Sequence, residues 1–407
     1  MHTVTEKSEA LLTSLKAFMA EFIFPNEVAY RHALASAENR FAALPLIDEL
    51  KRKARDQGLW NLFVPPDHAE FSELGGLNFL EYAPLAEEMG RVIWSAEVFN
   101  CNAPDTGNME VFMNFGTEAQ KAEWLTPLLA GEIRSSYAMT EPQVASSDAT
   151  NVQLSIRRDG DSWVLNGRKW FITGALYERC KILIVMGKSD PENSNRHLQQ
   201  SQVLVPKDTP GVNIIRPLTT LGYDDAPLGH AEIVFDEVRV PLENVLAGEG
   251  RGFEIAQTRL APGRMHHCMR LIGAGQQALE NACQRVTERQ TFGRPLSKHQ
   301  SIRENISKCF SEIEMARLLV QKTCWAIDNQ GVTASIPMIA ATKTTVPVVI
   351  QTVIDRCMQM HGAGGLTEDW SMAENFNYAR WCRQADGPDE VHQMALGKQI
   401  IERFSNQ

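Results

Sequence analysis

None of the eight cysteines forms a C-x-x-C pair, and their spacings suit neither a zinc site nor a disulfide framework. A reducing, cytoplasmic setting is the expectation that follows. There is no surplus of positive charge either. The 407 residues carry a net charge of -10, and no Lys/Arg cluster is dense enough to track phosphates, which argues against a nucleic-acid binder. No run of about 18 uncharged apolar residues occurs. The longest candidate, 337–354, is interrupted by Lys343, Pro347 and several threonines, so no membrane span is expected. The N-terminal stretch lacks a cationic segment ahead of a cleavable apolar core. It reads as an amphipathic helix carrying Leu11, Leu12, Leu15, Phe18, Met19 and Phe22. Internal repeats and low-complexity tracts are also absent. What is present, 43% hydrophobic and 22% charged residues, is ordinary for a soluble globular protein of roughly two or three domains.

Residues 1–134 carry helical periodicity. Leu44, Ile47, Leu50 and Ala54 share one face, opposite Asp48, Glu49, Lys51 and Arg52, and Gly58 marks the stop. Further helical stretches are predicted at 79–91 and 118–129, with the loop FVPPDHAEFSELGGL before the first of them. From 135 to 246 the pattern becomes short β-type runs separated by turn residues. Asp159-Gly160 and Asn166-Gly167 read as hairpin turns, which predicts a small antiparallel barrel or sandwich. Helical stripes return after Gly252. One runs through Leu271, Gly275, Ala278, Leu279, Ala282 and Val286. The other holds Ile302, Ile306, Phe310, Ile313, Ala316, Val320, Cys324 and Ile327. The expectation is an α+β chain: an all-helical domain (1–134), an antiparallel β-barrel domain (135–246) and a helical bundle (247–407).

Four stretches hold residue types suited to chemistry. In QADGPDEVH, Asp386 stands between Ala385 and Gly387, ahead of Pro388, which suits the first turn of a helix. Such an acid serves either as a helix cap or, shielded from water beside a substrate, as a general base. In YAMTEPQVASSDATN, Thr140 and Ser147 offer hydroxyls, in a strand entering a loop or in a ligand-lining turn. In NGRKWFITGA, the rings of Trp170 and Phe171 belong either to the core or beside a planar cofactor, with Thr173 donating to a heteroatom. In ERQTFGRPLSKHQ, Arg289 and Arg294 flank a Phe-Gly break, as solvated helix-end charges or as phosphate ligands. The HGAGGL run is no dinucleotide fingerprint, because no strand-then-helix context surrounds it. His266-His267, and Asp386 with Asp389 and His392, are metal-ligating types without a complete set, so no metal is expected.

In this order the stretches resemble the acyl-CoA dehydrogenase family across the whole chain. YAMTEPQVASSD is similar to the family's Y-x-x-T-E-P-x-x-G-S-D signature with one extra residue. RQTFGRPLSKHQ resembles its R-x-x-F-G-x-x-[IL]-x-x-x-Q element, and QMHGAGGLTED its Q-x-x-G-G-x-G element. QADGPDEV stands in the place of its catalytic Y-E-G-T segment, and the wording of the first and last motifs is similar to the 10/11-type branch. The resemblance implies a helical domain, a β-barrel and a C-terminal four-helix bundle, assembled as a homodimer or homotetramer with one FAD per subunit. It places Met139, Thr140, Phe171 and Thr173 along the flavin ring, and Ser147 near the pyrophosphate or the substrate thioester. Arg289, Phe292, Gln300, Gln359, Gly362 and Ala363 would hold the adenosine diphosphate part across a dimer contact. Arg264 would line the base and the acyl-CoA entrance, with Gly387 beside the substrate.

The implied activity is α,β-dehydrogenation of an acyl-CoA to a trans-2-enoyl-CoA, with electrons passed to an electron-transfer flavoprotein. Asp386 would be the base, its pKa raised by a dry site, and its backbone N–H would support the thioester carbonyl. Three departures stand out. Asp386 replaces a glutamate one methylene longer, and a misplacement of about 1 Å can cost about a hundredfold in rate. Gly263 occupies the position from which some members supply the base instead. Phe171 replaces a tryptophan, while Pro388 and Glu390 fall where a flavin-contacting Thr and Gln are usual. Two alternatives follow: a flavin oxidase of the same fold, similar to nitroalkane oxidase with its aspartate base, and a non-catalytic acyl-CoA-binding relative.

Overall fold

The computed structural model describes residues 5–405. Helices come first: α1 (Glu6–Phe18), α2 (Glu27–Ser36), α3 (Pro45–Asp56), α4 (Phe79–Met89), α5 (Ser95–Val98), α6 (Asp105–Phe115), α7 (Glu118–Gln120) and α8 (Thr126–Leu129). A sheet follows, of β1 (Arg134–Ala138), β2 (Ser155–Asp159), β3 (Ser162–Thr173), β4 (Cys180–Lys188), β5 (Gln200–Pro206), β6 (Val212–Leu218) and β7 (His230–Pro241). Helices then return as α9 (Gly252–Glu288), α10 (Gln300–Gln330), α11 (Val332–His361), α12 (Met372–Trp381) and α13 (Asp389–Ser405). A short hairpin, β8 (Gln290–Thr291) with β9 (Arg294–Pro295), precedes α10. Helical regions with a curled sheet between them are the architecture the periodicity predicts.

The described residues gather into two compact units. One gathers the described residues of Met1–Glu27, Asp56–Phe99 and Gly263–Gln407, and the other holds Val28–Arg55 and Asn100–Pro262. The early helices are thus shared out. Most of α4 is buried, including Tyr82, Leu85, Ala86 and Met89, and it packs on α10 and α1. Its N-terminus is fixed twice. Asn78 and Glu81 form a capping box, and Asp328 of α10 accepts the Phe79 and Leu80 N–H groups at 2.9 Å each. Beyond its other end, α9 comes so near that a Cβ on Gly273 would lie 1.9 Å from the Glu87 carbonyl, and one on Gly90 2.0 Å from the Arg270 carbonyl.

In the second unit the sheet runs β1-β4-β2-β3-β7-β6, with β5 beside β4. Leu165, Ile172, Leu183, Val205, Ile233 and Phe235 fill its inner side. The prediction of a purely antiparallel sheet is corrected by β1, which runs parallel to β4. β1 enters directly from the helices and is tied to α6: the Asp105 carboxylate accepts the Ser135 N–H at 2.6 Å and pairs with buried Arg134. Asn166-Gly167 is not a turn either. It lies within β3 as a bulge opposite β7, where the Asn166 side chain accepts the Glu237 N–H at 2.9 Å. A Cβ on Gly167 would come within 2.8 Å of the Leu154 backbone, so close approach rather than chain reversal explains that glycine. The Asp159-Gly160 turn is present, joining β2 to β3.

Two helical details also differ from expectation. Phe310, counted into the α10 stripe, is 58% exposed. Helix α11, with its continuation to Leu366, is long and apolar enough by composition to cross a membrane. Ile350, Val353, Ile354 and Cys357 of that helix are nonetheless buried in the first unit, as is Lys343.

The α4–α9 approach gives a stability prediction. Gly273→Ala places a methyl inside the Glu87 carbonyl's radius with only backbone to yield, and overpacking of this kind costs about 3 kcal/mol. Urea unfolding should show a clearly lower midpoint, whereas Gly364→Ala, whose nearest neighbour would lie 3.7 Å away, should change little.

Candidate active site

The first unit holds Asp386. Between α12 and α13 the chain turns sharply, with Asp386 at φ 56° and Gly387 at φ 103°. A left-handed aspartate costs roughly 1 kcal/mol and persists only where neighbours hold it. They do so here. The Asp386 carbonyl accepts Arg264 Nε at 2.9 Å and His392 Nε2 at 3.2 Å. Upstream, buried Lys343 of α11 donates to the Cys382 carbonyl, and Arg383 pairs with Asp389 at 2.7 Å. A Cβ on Gly387 would meet His392 Nε2 at 2.9 Å, so this glycine is required by both space and conformation.

The Asp386 side chain is 15% exposed, and its Oδ2 lies against α9. A Cβ on Gly263 would stand 3.1 Å from this oxygen. One turn along the same face, His267 Nε2 is 3.8 Å from it. His267 Nδ1 in turn meets the Tyr378 hydroxyl at 3.0 Å, and its ring packs edge-on to Trp381. His392 and His266 are held neutral. Burial pushes His392 down to about 4, helped by the charges of Arg264 and Lys343. Burial likewise pushes His266 down to about 3, helped by Arg270 and His267. His267 was singled out in the sequence only as a possible ligand beside His266. The available signal was the spacing of Gly263 and His267, which puts an empty position and an imidazole on one helix face. No group of three metal-ligating side chains forms among the described residues.

The second unit brings the Thr140 and Phe171 stretches together. Lys169, wholly buried, donates to the Met139 carbonyl at 2.7 Å and to Glu141 at 2.8 Å, and the Trp170 N–H donates to the Thr140 carbonyl at 3.0 Å. Glu141 also accepts the N–H groups of Gln153 and Leu154, so one buried carboxylate clamps three segments. Trp170 and Phe171 lie in a second bulge of β3, with Phe171 at φ 51° and 41% exposed. The Trp170 indole N–H is buried and without a hydrogen-bond partner. Thr173 has a partner within the protein that the sequence does not reveal. Its hydroxyl is already engaged by His230 Nδ1 at 3.0 Å, and His230 Nε2 lies 3.4 Å from Asp225. Ser147 is an exposed loop residue, while the neighbouring Ser146 hydroxyl accepts the Glu141 N–H.

Arg289, Phe292, Gln300, Gln359, Gly362 and Ala363 all lie at the surface of the first unit. Phe292 tops the β8–β9 hairpin, 96% exposed at φ 49°, and Gln300 donates to Glu304 at 2.8 Å.

Two predictions follow. Gly387→Ala should slow turnover at least tenfold while leaving the circular dichroism spectrum intact, because the added methyl displaces His392 from the Asp386 carbonyl; unchanged turnover would contradict the strained turn. For His266, the unfolded chain takes up a proton near pH 6.5 that the folded chain refuses until about 3. Stability held above pH 6.5 is therefore lost as pH falls towards 3. The stability of the wild type relative to His266→Gln should decline over that window in urea titrations, and a difference independent of pH would refute the neutral assignment.

Family models for the N-terminal, middle and C-terminal domains of acyl-CoA dehydrogenase match residues 5–132, 136–238 and 250–401. The chain is 49% identical to Mus musculus acyl-CoA dehydrogenase family member 10 over 396 residues, 97% of this chain and 37% of that protein. It is 48% identical to the Mycobacterium tuberculosis protein FadE2, also named as an acyl-CoA dehydrogenase, over 96% of this chain and 94% of that one. A solved structure from Mycobacterium abscessus, assigned to the acyl-CoA dehydrogenases, superposes with a TM-score of 0.95 at 43% identity, over 99% of this chain and 100% of the other. The chain spans about half the length, or less, of several curated relatives it matches. With the ordered motifs and the buried turn around Asp386, these matches settle the family: the chain belongs to the acyl-CoA dehydrogenases.

Proposed function

We propose that this chain oxidises an acyl-CoA thioester to its trans-2-enoyl-CoA, using FAD and passing electrons to an electron-transfer flavoprotein. The observation that carries the reading is the Asp386 carboxylate, largely buried on the α9 face where Gly263 leaves room for it. The residues of the second unit fit a flat, polar ring system. Phe171 offers an exposed ring on a bulged strand, Trp170 an unpaired buried N–H, and Met139 and Thr140 a backbone edge pinned by Lys169. When bound, FAD supplies the acceptor for a hydride from the β-carbon.

The remaining work falls to the chain itself. Asp386 takes the α-proton as the Cα–H bond breaks and the new C=C bond forms, and Arg264 and His392 keep its peptide from turning away. Thr173, its hydroxyl held by His230, presents a fixed oxygen at the end of β3. The exposed set of Arg289, Phe292, Gln300, Gln359, Gly362 and Ala363 would serve the diphosphate end of a cofactor bound by a second copy, in a homodimer or a dimer of dimers. Arg264 would line the base and the acyl-CoA entrance, and Ser147 would serve the pyrophosphate or the thioester end of a ligand.

The test is Asp386→Asn. General-base catalysis contributes about 10²–10⁴ in rate. The variant should therefore stay yellow and bind acyl-CoA, yet bleach its flavin on the order of 10³-fold more slowly under anaerobic conditions. Bleaching at the wild-type rate removes Asp386 from the reaction. A wild-type flavin band that no acyl-CoA bleaches, together with nitroalkane oxidation in air, identifies an oxidase instead.

A further inference from the structure

Asp386 has a neighbour that the reaction as described does not use. His267 lies on the same face of α9 as Gly263, one helical turn away, and both meet the same carboxylate oxygen, Oδ2. The imidazole is itself gripped. Its Nδ1 faces the Tyr378 hydroxyl at 3.0 Å and the Arg270 guanidinium at 3.5 Å, and its ring stands edge-on to Trp381. A guanidinium only donates, so Nδ1 is the accepting nitrogen. In the neutral ring the proton is then on Nε2, the atom 3.8 Å from Asp386 Oδ2. That is a charge–dipole contact, which closes to a hydrogen bond with a small movement of a short side chain.

We propose that His267 is a positioning residue for Asp386: its Nε2–H docks one carboxylate oxygen onto α9 and favours the ionised form of the base. The inference rests on the assignment of Asp386 as the base. It also accounts for an aspartate in place of a longer acid. At this turn the α9 face at Gly263 and His267 lies within reach of a short carboxylate.

Other charges face the pair from each packed element. Arg264, His266, Cys268 and Arg270 come from α9, Lys343 from α11, Tyr378 from α12, Cys382 and Arg383 from the turn, and Asp389 and His392 from α13. His392 and His266 are neutral, and burial pushes the Tyr378 hydroxyl and the Cys268 and Cys382 thiols far up. Arg383 is paired to Asp389. Arg264, Arg270 and Lys343 are present in every variant below, so whatever level they set for the Asp386 titration is common to all of them.

The experiment uses the flavin-loaded protein and an acyl-CoA with sulfur in place of the β-carbon, which cannot be dehydrogenated. Exchange of its α-hydrogens in D₂O, followed by NMR against pH, reads the base without any electron transfer. His267→Phe keeps the ring against Trp381 but removes the donor. Losing a donor to a carboxylate raises its pKa, so the acid limb of the exchange profile should move up by about one pH unit, with exchange on that limb about tenfold slower. His267→Gln, which restores an N–H, should recover most of both. A limb in His267→Phe at the wild-type position overturns the proposal. If His267→Phe does not fold, Tyr378→Phe tests the same grip by freeing Nδ1, and an unshifted limb there overturns it equally. Asp386→Asn separates the two readings. If that variant exchanges like wild type, the base assignment fails. If it is silent while His267→Phe behaves as wild type, only the role of His267 fails.

Discussion

How closely other parts of the first unit can approach α9 decides most of what this protein can do. Three glycines of that helix meet neighbours where any side chain would intrude: Gly263 at Asp386, Gly273 at the Glu87 carbonyl and Gly275 at Ile350. Glycine inside a helix is unfavourable by roughly 1 kcal/mol relative to alanine, so each is retained against helix propensity. The gain is backbone-to-backbone packing with α4 at one point and room for a carboxylate at another. Gly273 and Gly263 differ in kind, since the first admits a carbonyl and the second admits a charge.

Several of the groups around that carboxylate are cationic or neutral. Arg264, Arg270 and Lys343 supply positive charge close by, while desolvation holds His266 and His392 uncharged. In the second unit the same logic appears with different partners. Lys169 and Glu141 are both buried, and each finds its remaining hydrogen bonds in the backbone. Such a pair adds little net stability, because desolvation offsets much of the attraction. It does fix where the chain runs after β1, and the Met139–Thr140 edge inherits its position from that.

Much of this was legible in the residues. Helical and alternating periodicities gave the order of helices, sheet and helices, and the spacing of QADGPDEVH isolated Asp386. The failures have physical causes. Asn166-Gly167 has the composition of a turn, yet Gly167 is needed because Leu154 crosses it, a long-range contact that local pattern cannot reveal. The same holds for the parallel placement of β1, which depends on Asp105 and Arg134. Phe310 fits a helical stripe by spacing but faces outward, because periodicity reports a face and not what covers it. The His230 partner of Thr173 could not be seen either, because it lies far away in sequence. His267 was visible but given no role, since it was weighed only as a metal ligand beside His266 and set aside, while its relation is to Gly263, a turn earlier.

The 3.1 Å between Asp386 Oδ2 and a Cβ on Gly263 also bears on how such a site can change over generations. One small volume beside α9 is reachable from two points of the chain, the helix itself and the turn before α13. It does not readily hold two ionised carboxylates, because crowding and like-charge repulsion disfavour the pair and would leave one of them protonated or displaced. A lineage moving its acid from one point to the other therefore meets an unfavourable intermediate, with both acids or with neither. The location of the acid is in this sense a slow-changing historical mark, even though the space it fills stays the same.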